Sequence, residues 1–213
     1  KSIAPTFSDK EIEIFFNMYR DGKTNSVIDK LVEIYKKKSD DILLISLLGT
    51  FYGLNEDYDQ AISFQKIAIE RAPFEPSFYR NLSETLKKVD KIRDALSILY
   101  FAKILSFNDQ SIDYEIAKLN TDLNNYLAAD LIYTKLMREK NINKEIMYSY
   151  CSNLIKFNKV NEAILFVEKN QINDKNNDIL MSLLGLAYLR LKKFELAKTN
   201  FLKAINLNKN NDN

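Results

Sequence analysis

Residues 42–75 read ILLISLLGTFYGLNEDYDQAISFQKIAIERAPFE, and residues 178–211 read DILMSLLGLAYLRLKKFELAKTNFLKAINLNKNN. Superimposed, Leu48-Gly49 falls on Leu184-Gly185, Tyr52 on Tyr188, Ala61 on Ala197 and Ala68 on Ala204. The offset is 136 residues, which is four steps of 34 with no insertion. Alanine fills in the intermediate steps. One series runs Ala61, Ala95, Ala129, Ala163 and Ala197, and a second, seven residues further on, holds Ala68, Ala102 and Ala204, with Leu136 and Asn170 in the remaining places. A third small-residue series reads Gly49, Ser83, Ala117, Cys151 and Gly185. Nine of the thirteen alanines occupy these three phases, where random placement would leave about one.

Within a period the apolar residues recur at helical spacing. Leu44, Leu47, Leu48 and Tyr52 trace one helix, and Tyr58, Ala61, Ile62, Phe64, Ala68 and Ile69 trace a second. Small side chains where the two cross let the backbones approach, and larger ones around them interlock. The turn between the helices carries Gly22, Glu56, Asp90, Asn124, Asn158 and Lys192 at one phase. Glycine, asparagine and aspartate there suit a left-handed helix end. Pro73 closes the second helix of its period, and Pro76 suits the first turn of the next. The reading is all-α.

Composition narrows the chemistry. The 213 residues are 46% hydrophobic and 28% charged, an ordered protein rather than a disordered tail. Histidine is absent and there is one cysteine, so Ser–His and Cys–His nucleophiles, histidine–cysteine zinc sites and an internal disulfide are excluded. The four glycines form no phosphate-binding loop. We therefore expect no catalytic residue, no metal and no cofactor. The net charge of +2 offers no field for nucleic acid, and Lys36-Lys37-Lys38 reads as the cationic end of a helix. Glu11 with Glu13, Asp40 with Asp41, and Asp57 with Asp59 fall at helix starts and turns, where carboxylates belong. The longest apolar stretch, Ile179 to Leu189, is far short of the ~20 residues a membrane helix needs. No signal peptide is visible, so the expected location is cytoplasmic, although the opening on Lys1 leaves room for an upstream segment that has been removed. Cys151 sits in a slot filled elsewhere by Gly, Ser and Ala, which makes it a buried packing residue.

The pattern resembles the tetratricopeptide repeat family. Leu48-Gly49, Tyr52, Ala61, Ala68 and Pro73 follow the family's motif, as do Leu184-Gly185, Tyr188, Ala197, Phe201 and Ala204. After a lead-in of 1–7, a single solenoid of six units is expected at about 8–41, 42–75, 76–109, 110–143, 144–177 and 178–211. The first unit is degenerate, with Phe15 in the small slot and Val27 in the alanine slot. The resemblance implies a right-handed α-solenoid superhelix of antiparallel helix pairs whose first helices line a concave, peptide-binding face. Transferring the groove-facing phases points to Ser46 and Thr50 in the second unit and to Arg80, Asn81, Glu84, Lys87 and Lys88 in the third. It points to Tyr114, Glu115 and Lys118 in the fourth, to Tyr148, Ser149 and Ser152 in the fifth, and to Ser182, Leu186 and Arg190 in the sixth. Tyr114 and Tyr148 should stand on adjacent rungs and, with Arg80 and Lys118, suit an extended peptide bearing a carboxylate or acidic side chain.

Two specialised grooves of the family are not reproduced. The chaperone-type carboxylate clamp wants Lys and then Asn four residues later, where this chain has Ser46 with Thr50 or Arg80 with Glu84. An asparagine ladder of the O-GlcNAc transferase kind is matched only at Asn81. The implied role is a non-catalytic scaffold for a protein or extended peptide. Two alternatives stay open. The opening Pro5-Thr6-Phe7-Ser8-Asp9 resembles the arms of bacterial repeat proteins that precede a glycosyl- or sulfo-transferase or an oxygenase, which would make this a substrate-recognition arm. The apolar last helix, with Phe201, Leu202, Ile205 and Leu207 and no polar cap before Lys209–Asn213, would suit a homodimer.

Overall fold

The computed structural model describes residues 7–106, 109–139, 142–171 and 177–211. Of the lead-in at 1–7 only Phe7 is among them, and at the other end Asp212 and Asn213 lie outside the described residues. The described residues form twelve α-helices and no strand. They are α1 (Asp9–Arg20), α2 (Thr24–Tyr35), α3 (Ile42–Leu54), α4 (Tyr58–Arg71), α5 (Pro76–Lys88) and α6 (Ile92–Leu105), followed by α7 (Gln110–Asp122), α8 (Tyr126–Leu136), α9 (Lys144–Lys156), α10 (Val160–Gln171), α11 (Asp178–Arg190) and α12 (Phe194–Asn211). The starts of α3, α5, α7, α9 and α11 advance by 34 residues each time. The chain divides into two compact units, Lys1–Ile112 and Asp113–Asn213.

Every hairpin closes in the same way. Three residues separate the helices, and the middle one is left-handed: Gly22 (φ 74°), Glu56 (62°), Asp90 (60°), Asn124 (61°), Asn158 (64°) and Lys192 (58°). The next amide reaches back to the carbonyl five residues earlier in all six turns. Asp57 N–H donates to Tyr52 O at 3.0 Å, and Lys193 N–H donates to Tyr188 O at 2.9 Å. This arrangement satisfies carbonyls that a helix end would otherwise orphan. Glu56 and Lys192 adopt the conformation without the residue type that favours it, so the turn is imposed by the packing of the two helices.

Most of the paired carboxylates sit where the helix dipole wants them, although Glu13 lies beyond the first turn of α1. Ser8 and Glu11 form a reciprocal capping box on α1, and its backbone and side-chain hydrogen bonds from Ser8 hold the Glu11 carboxyl below its usual range. Asp41 Oδ1 accepts from Leu44 N–H at 3.0 Å to cap α3, and Asp57 caps α4 through Gln60 N–H at 3.2 Å. Asp40 pairs with Arg71 at 3.0 Å. Pro76 occupies the first turn of α5, as its fixed φ favours. The Lys209–Asn213 run, expected to follow the last helix, is itself helical as far as Asn211, since no glycine or proline stops it.

In the first unit Val27, Leu31, Leu44, Leu48 and Phe51 are fully buried in one cluster, and each such side chain contributes roughly 1.5–3 kcal/mol. The degenerate first hairpin still packs. Phe15, too large for a close crossing, turns its ring edge to Phe7 at 5.4 Å and to Phe51 of the next hairpin at 6.4 Å. In the second unit Cys151, Leu154, Ala163, Val167, Leu180 and Ala187 form the main cluster. All five members of the first alanine series are buried. Many aromatic rings pack in or against these cores, whereas Phe74, Phe101 and Phe194 stand in solvent.

Candidate functional site: the groove-facing helices

In the first unit α3 and α5 lie side by side and carry the expected groove positions. Thr50, Gly53 and Leu54 of α3, Tyr58 and Gln65 of α4, and Asn81, Glu84, Thr85 and Lys88 of α5 surround a single open pocket of about 190 Å³. Three of the positions read from the repeat in the third unit, Asn81, Glu84 and Lys88, therefore meet one from the second, Thr50. Glu84 is ion-paired with Lys87 on its own helix. The Thr50 hydroxyl donates to Ser46 O at 3.0 Å, which leaves its oxygen lone pairs to accept.

Arg80 does not join that pocket. It is half-buried beside Asp109, whose carboxyl caps α7 by accepting from Ser111 and Ile112 amides. The Ser111 hydroxyl, together with those amides and the Arg80 charge, holds the Asp109 carboxyl below its usual range. The guanidinium thus faces a helix-capping carboxylate of its own chain.

In the second unit α7 and α9 meet through the residue next to Tyr148. The Tyr114 hydroxyl on α7 lies 3.0 Å from the Ser149 hydroxyl on α9, the residue next to Tyr148, so the two tyrosines stand on adjacent first helices. Lys118, one turn along α7 and exposed, places its ammonium 5.6 Å from the Tyr114 ring centroid, a cation–π distance. Tyr148 accepts a hydrogen bond from Asn177, the residue that caps α11 by accepting from Leu180 N–H at 3.0 Å. It lines a cavity of about 430 Å³ with Lys144, Met147, Asn170 and Leu180. Ser152 lies one turn further along α9, half-buried.

Polar pairs inside the hairpin stacks escaped the sequence reading. Thr121 donates to Asn153 Oδ1 at 3.0 Å, and Asn153 donates to Tyr126 O at 3.3 Å, with Asn153 fully buried. Gln65 Nε2 donates to Thr85 Oγ1 at 2.8 Å while its own Oε1 has no partner. The signal was present: Gln65 shares its phase with Leu31, Leu99, Tyr133, Val167 and Phe201, and is the one amide among them. Burial pushes the Cys151 thiol up to about 12, which leaves it a neutral packing group. Among the described residues no cluster of His, Cys, Asp or Glu is arranged to hold a metal, and no helix is long and apolar enough to cross a membrane.

Residues 180–211, the last hairpin, match the family model described as tetratricopeptide repeat. No curated protein matches the chain. Among solved structures, YrrB, described as a tetratricopeptide protein with an unusual peptide-binding site, is 13% identical with a TM-score of 0.65, covering 83% of this chain and 91% of its own. MamA from residue 41 onward of Desulfovibrio magneticus RS-1 is 13% identical with a TM-score of 0.71, over 81% of this chain and 97% of its own. A further MamA structure is 18% identical with a TM-score of 0.68, over 79% and 92%. The chain is similar to these proteins in fold, and that fold is the all-α tetratricopeptide repeat fold.

Proposed function

We propose that the chain is a non-catalytic scaffold that captures an extended segment of another protein along the first helices of its hairpins. One observation carries this reading: α3 and α5 present Thr50, Asn81, Glu84 and Lys88 around a shared open pocket. Helices held by buried packing present these groups pre-formed, which lowers the ordering cost of binding. In the second unit Tyr114, with Lys118 over its ring, and Tyr148 would supply aromatic contact on neighbouring rungs. Arg80, Asn81, Glu84, Tyr114, Lys118, Tyr148 and Ser152 remain the proposed contacts.

The test is selection of random dodecapeptides on the full chain, followed by titration of the enriched sequences. Glu84→Arg and Tyr114→Ala should each weaken binding at least about tenfold, whereas Lys66→Glu, on the exposed side of α4, should not. Equal binding by all three variants would move the site elsewhere.

A second reading, pairing of two copies through the last hairpin, is favoured by Leu189 (45% exposed) and Phe194 (63%), whose counterparts one period earlier, Ile155 (7%) and Val160 (4%), are buried. Concentration-dependent light scattering that Phe194→Glu abolishes would support it.

A further inference from the structure

We infer that the pocket beside Gln65 is a side-chain subsite that admits the carboxamide of an asparagine or glutamine in the captured segment. The inference rests on the groove reading above and adds what that groove selects.

Gln65 is 6% exposed, and a buried acceptor with no partner costs more than an ordinary hydrogen bond returns. Its amide orientation follows from its neighbour. The Thr85 hydroxyl donates to Asn81 O at 3.1 Å, so the group facing the Thr85 oxygen must be the donor Nε2, and Oε1 is left over. The same phase holds Leu31, Leu99, Val167 or an aromatic ring elsewhere, so packing alone calls for an apolar residue there. Gln65 also lines the pocket with Oε1 itself closed off from solvent, and rotation about the broad terminal torsion of glutamine, at the expense of the Thr85 bond, would bring Oε1 to a donor placed there.

Gly53 keeps that wall open. A Cβ built on it would stand 3.9 Å from Thr85 Oγ1 and 3.8 Å from Ala61 Cβ, ordinary contacts that would narrow the space without a clash. At about 190 Å³ the space is below the roughly 300–1,000 Å³ of a small-molecule site and suits one side chain.

The chemistry selects a neutral donor. A carboxylate would meet the lone pairs of Gln65 and Thr50. An ammonium would need a counter-charge, and Glu84 is held by Lys87. A carboxamide donates its N–H to Gln65 Oε1 at the floor, while its carbonyl accepts from Lys88 or Asn81 at the mouth.

The experiment uses the same random dodecapeptide library on the full chain and on two variants, Gln65→Met and Gly53→Ala, each first shown by circular dichroism and thermal melting to be folded. On the natural sequence, enriched peptides should share Asn or Gln at one position, and its replacement by Ala should weaken binding about tenfold. On Gln65→Met that position should turn apolar while the rest of the motif persists, and on Gly53→Ala it should lose its preference. Enriched peptides with no Asn or Gln preference, or with the same preference on Gln65→Met, overturn the subsite and leave the groove standing. No enrichment on the natural sequence overturns the groove and the subsite together.

Discussion

Gly49 and Gly185 occupy one phase of the repeat, four periods apart, and what stands over them differs. A Cβ at Gly185 would lie 2.7 Å from two carbons of the Phe201 ring, whereas a Cβ at Gly49 would lie 3.0 Å from Cγ of the flexible Gln65. Between them the phase holds Ser83, Ala117 and Cys151, with Leu99, Tyr133 and Val167 sixteen residues on. Ala117 and Tyr133 share a cluster, so a methyl and a ring can coexist at this phase. Ser83 replaces bulk by a bond, donating to Ala95 O at 3.0 Å across the crossing. Each hairpin thus solves the same crossing with a different pair. From the second hairpin to the sixth small size is the shared demand, which the first escapes with Phe15, and glycine itself is demanded only under Phe201.

The largest expected effect tests that asymmetry. Gly185→Ala should destabilise by about 2 kcal/mol, because a rigid ring must move. Gly49→Ala should change stability by less than about 1 kcal/mol, as Gln65 yields and alanine favours the helix. Equal losses in urea unfolding would show that the crossing, and not the partner, sets the requirement.

Cys151 extends the comparison to the second unit. Its folded pKa of about 12 lies above the free value of 9.0, so its contribution is complete below pH 9 and is lost as pH rises toward 12. Native stability should fall by about 1 kcal/mol between pH 8 and 10 from this group. Cys151→Ala should flatten that part of the profile. Tyr133, raised by burial from 10.0 to about 12, acts in the same direction at higher pH and survives the substitution. In the native protein thiol reagents should label Cys151 far more slowly than after urea unfolding.

Gln65→Leu comes next. It removes an orphaned acceptor and leaves the Thr85 hydroxyl bonded to Asn81 O, so stability should rise by about 1 kcal/mol. A loss of that size would mean that Oε1 finds a partner in solution. The smallest effect belongs to the turns. Lys192→Gly should add a few tenths of a kcal/mol, since glycine enters the left-handed region without strain but loses more entropy on folding. Gly22→Ala, at the same phase, should cost more than Lys192→Gly gains.

Much of this was legible in one sequence, because a repeat compares itself with itself. The left-handed turns, the buried alanines, Cys151 in its slot and the carboxylates at helix starts all follow from phase and local chemistry. Glu56 and Lys192 could be placed in the turn only by phase, since neither residue type favours it. The groove was legible as a set of faces and less so as a set of partners. Arg80 faces Asp109 and Tyr148 bonds to Asn177, pairings of 29 residues that no motif announces. Gln65 was passed over because a polar residue in an apolar phase looks like a lapse in the pattern, when it is the feature that distinguishes one hairpin from the rest.

The three-residue turns have a kinetic consequence. Every hairpin joins neighbours in sequence through a bond spanning five residues, so little chain must be immobilised before the first favourable contacts form. Nucleation can therefore begin in any of the hairpins and spread to its neighbours, and folding should be quick for a chain of this length. Unravelling should start where a helix pair has a neighbour on one side only.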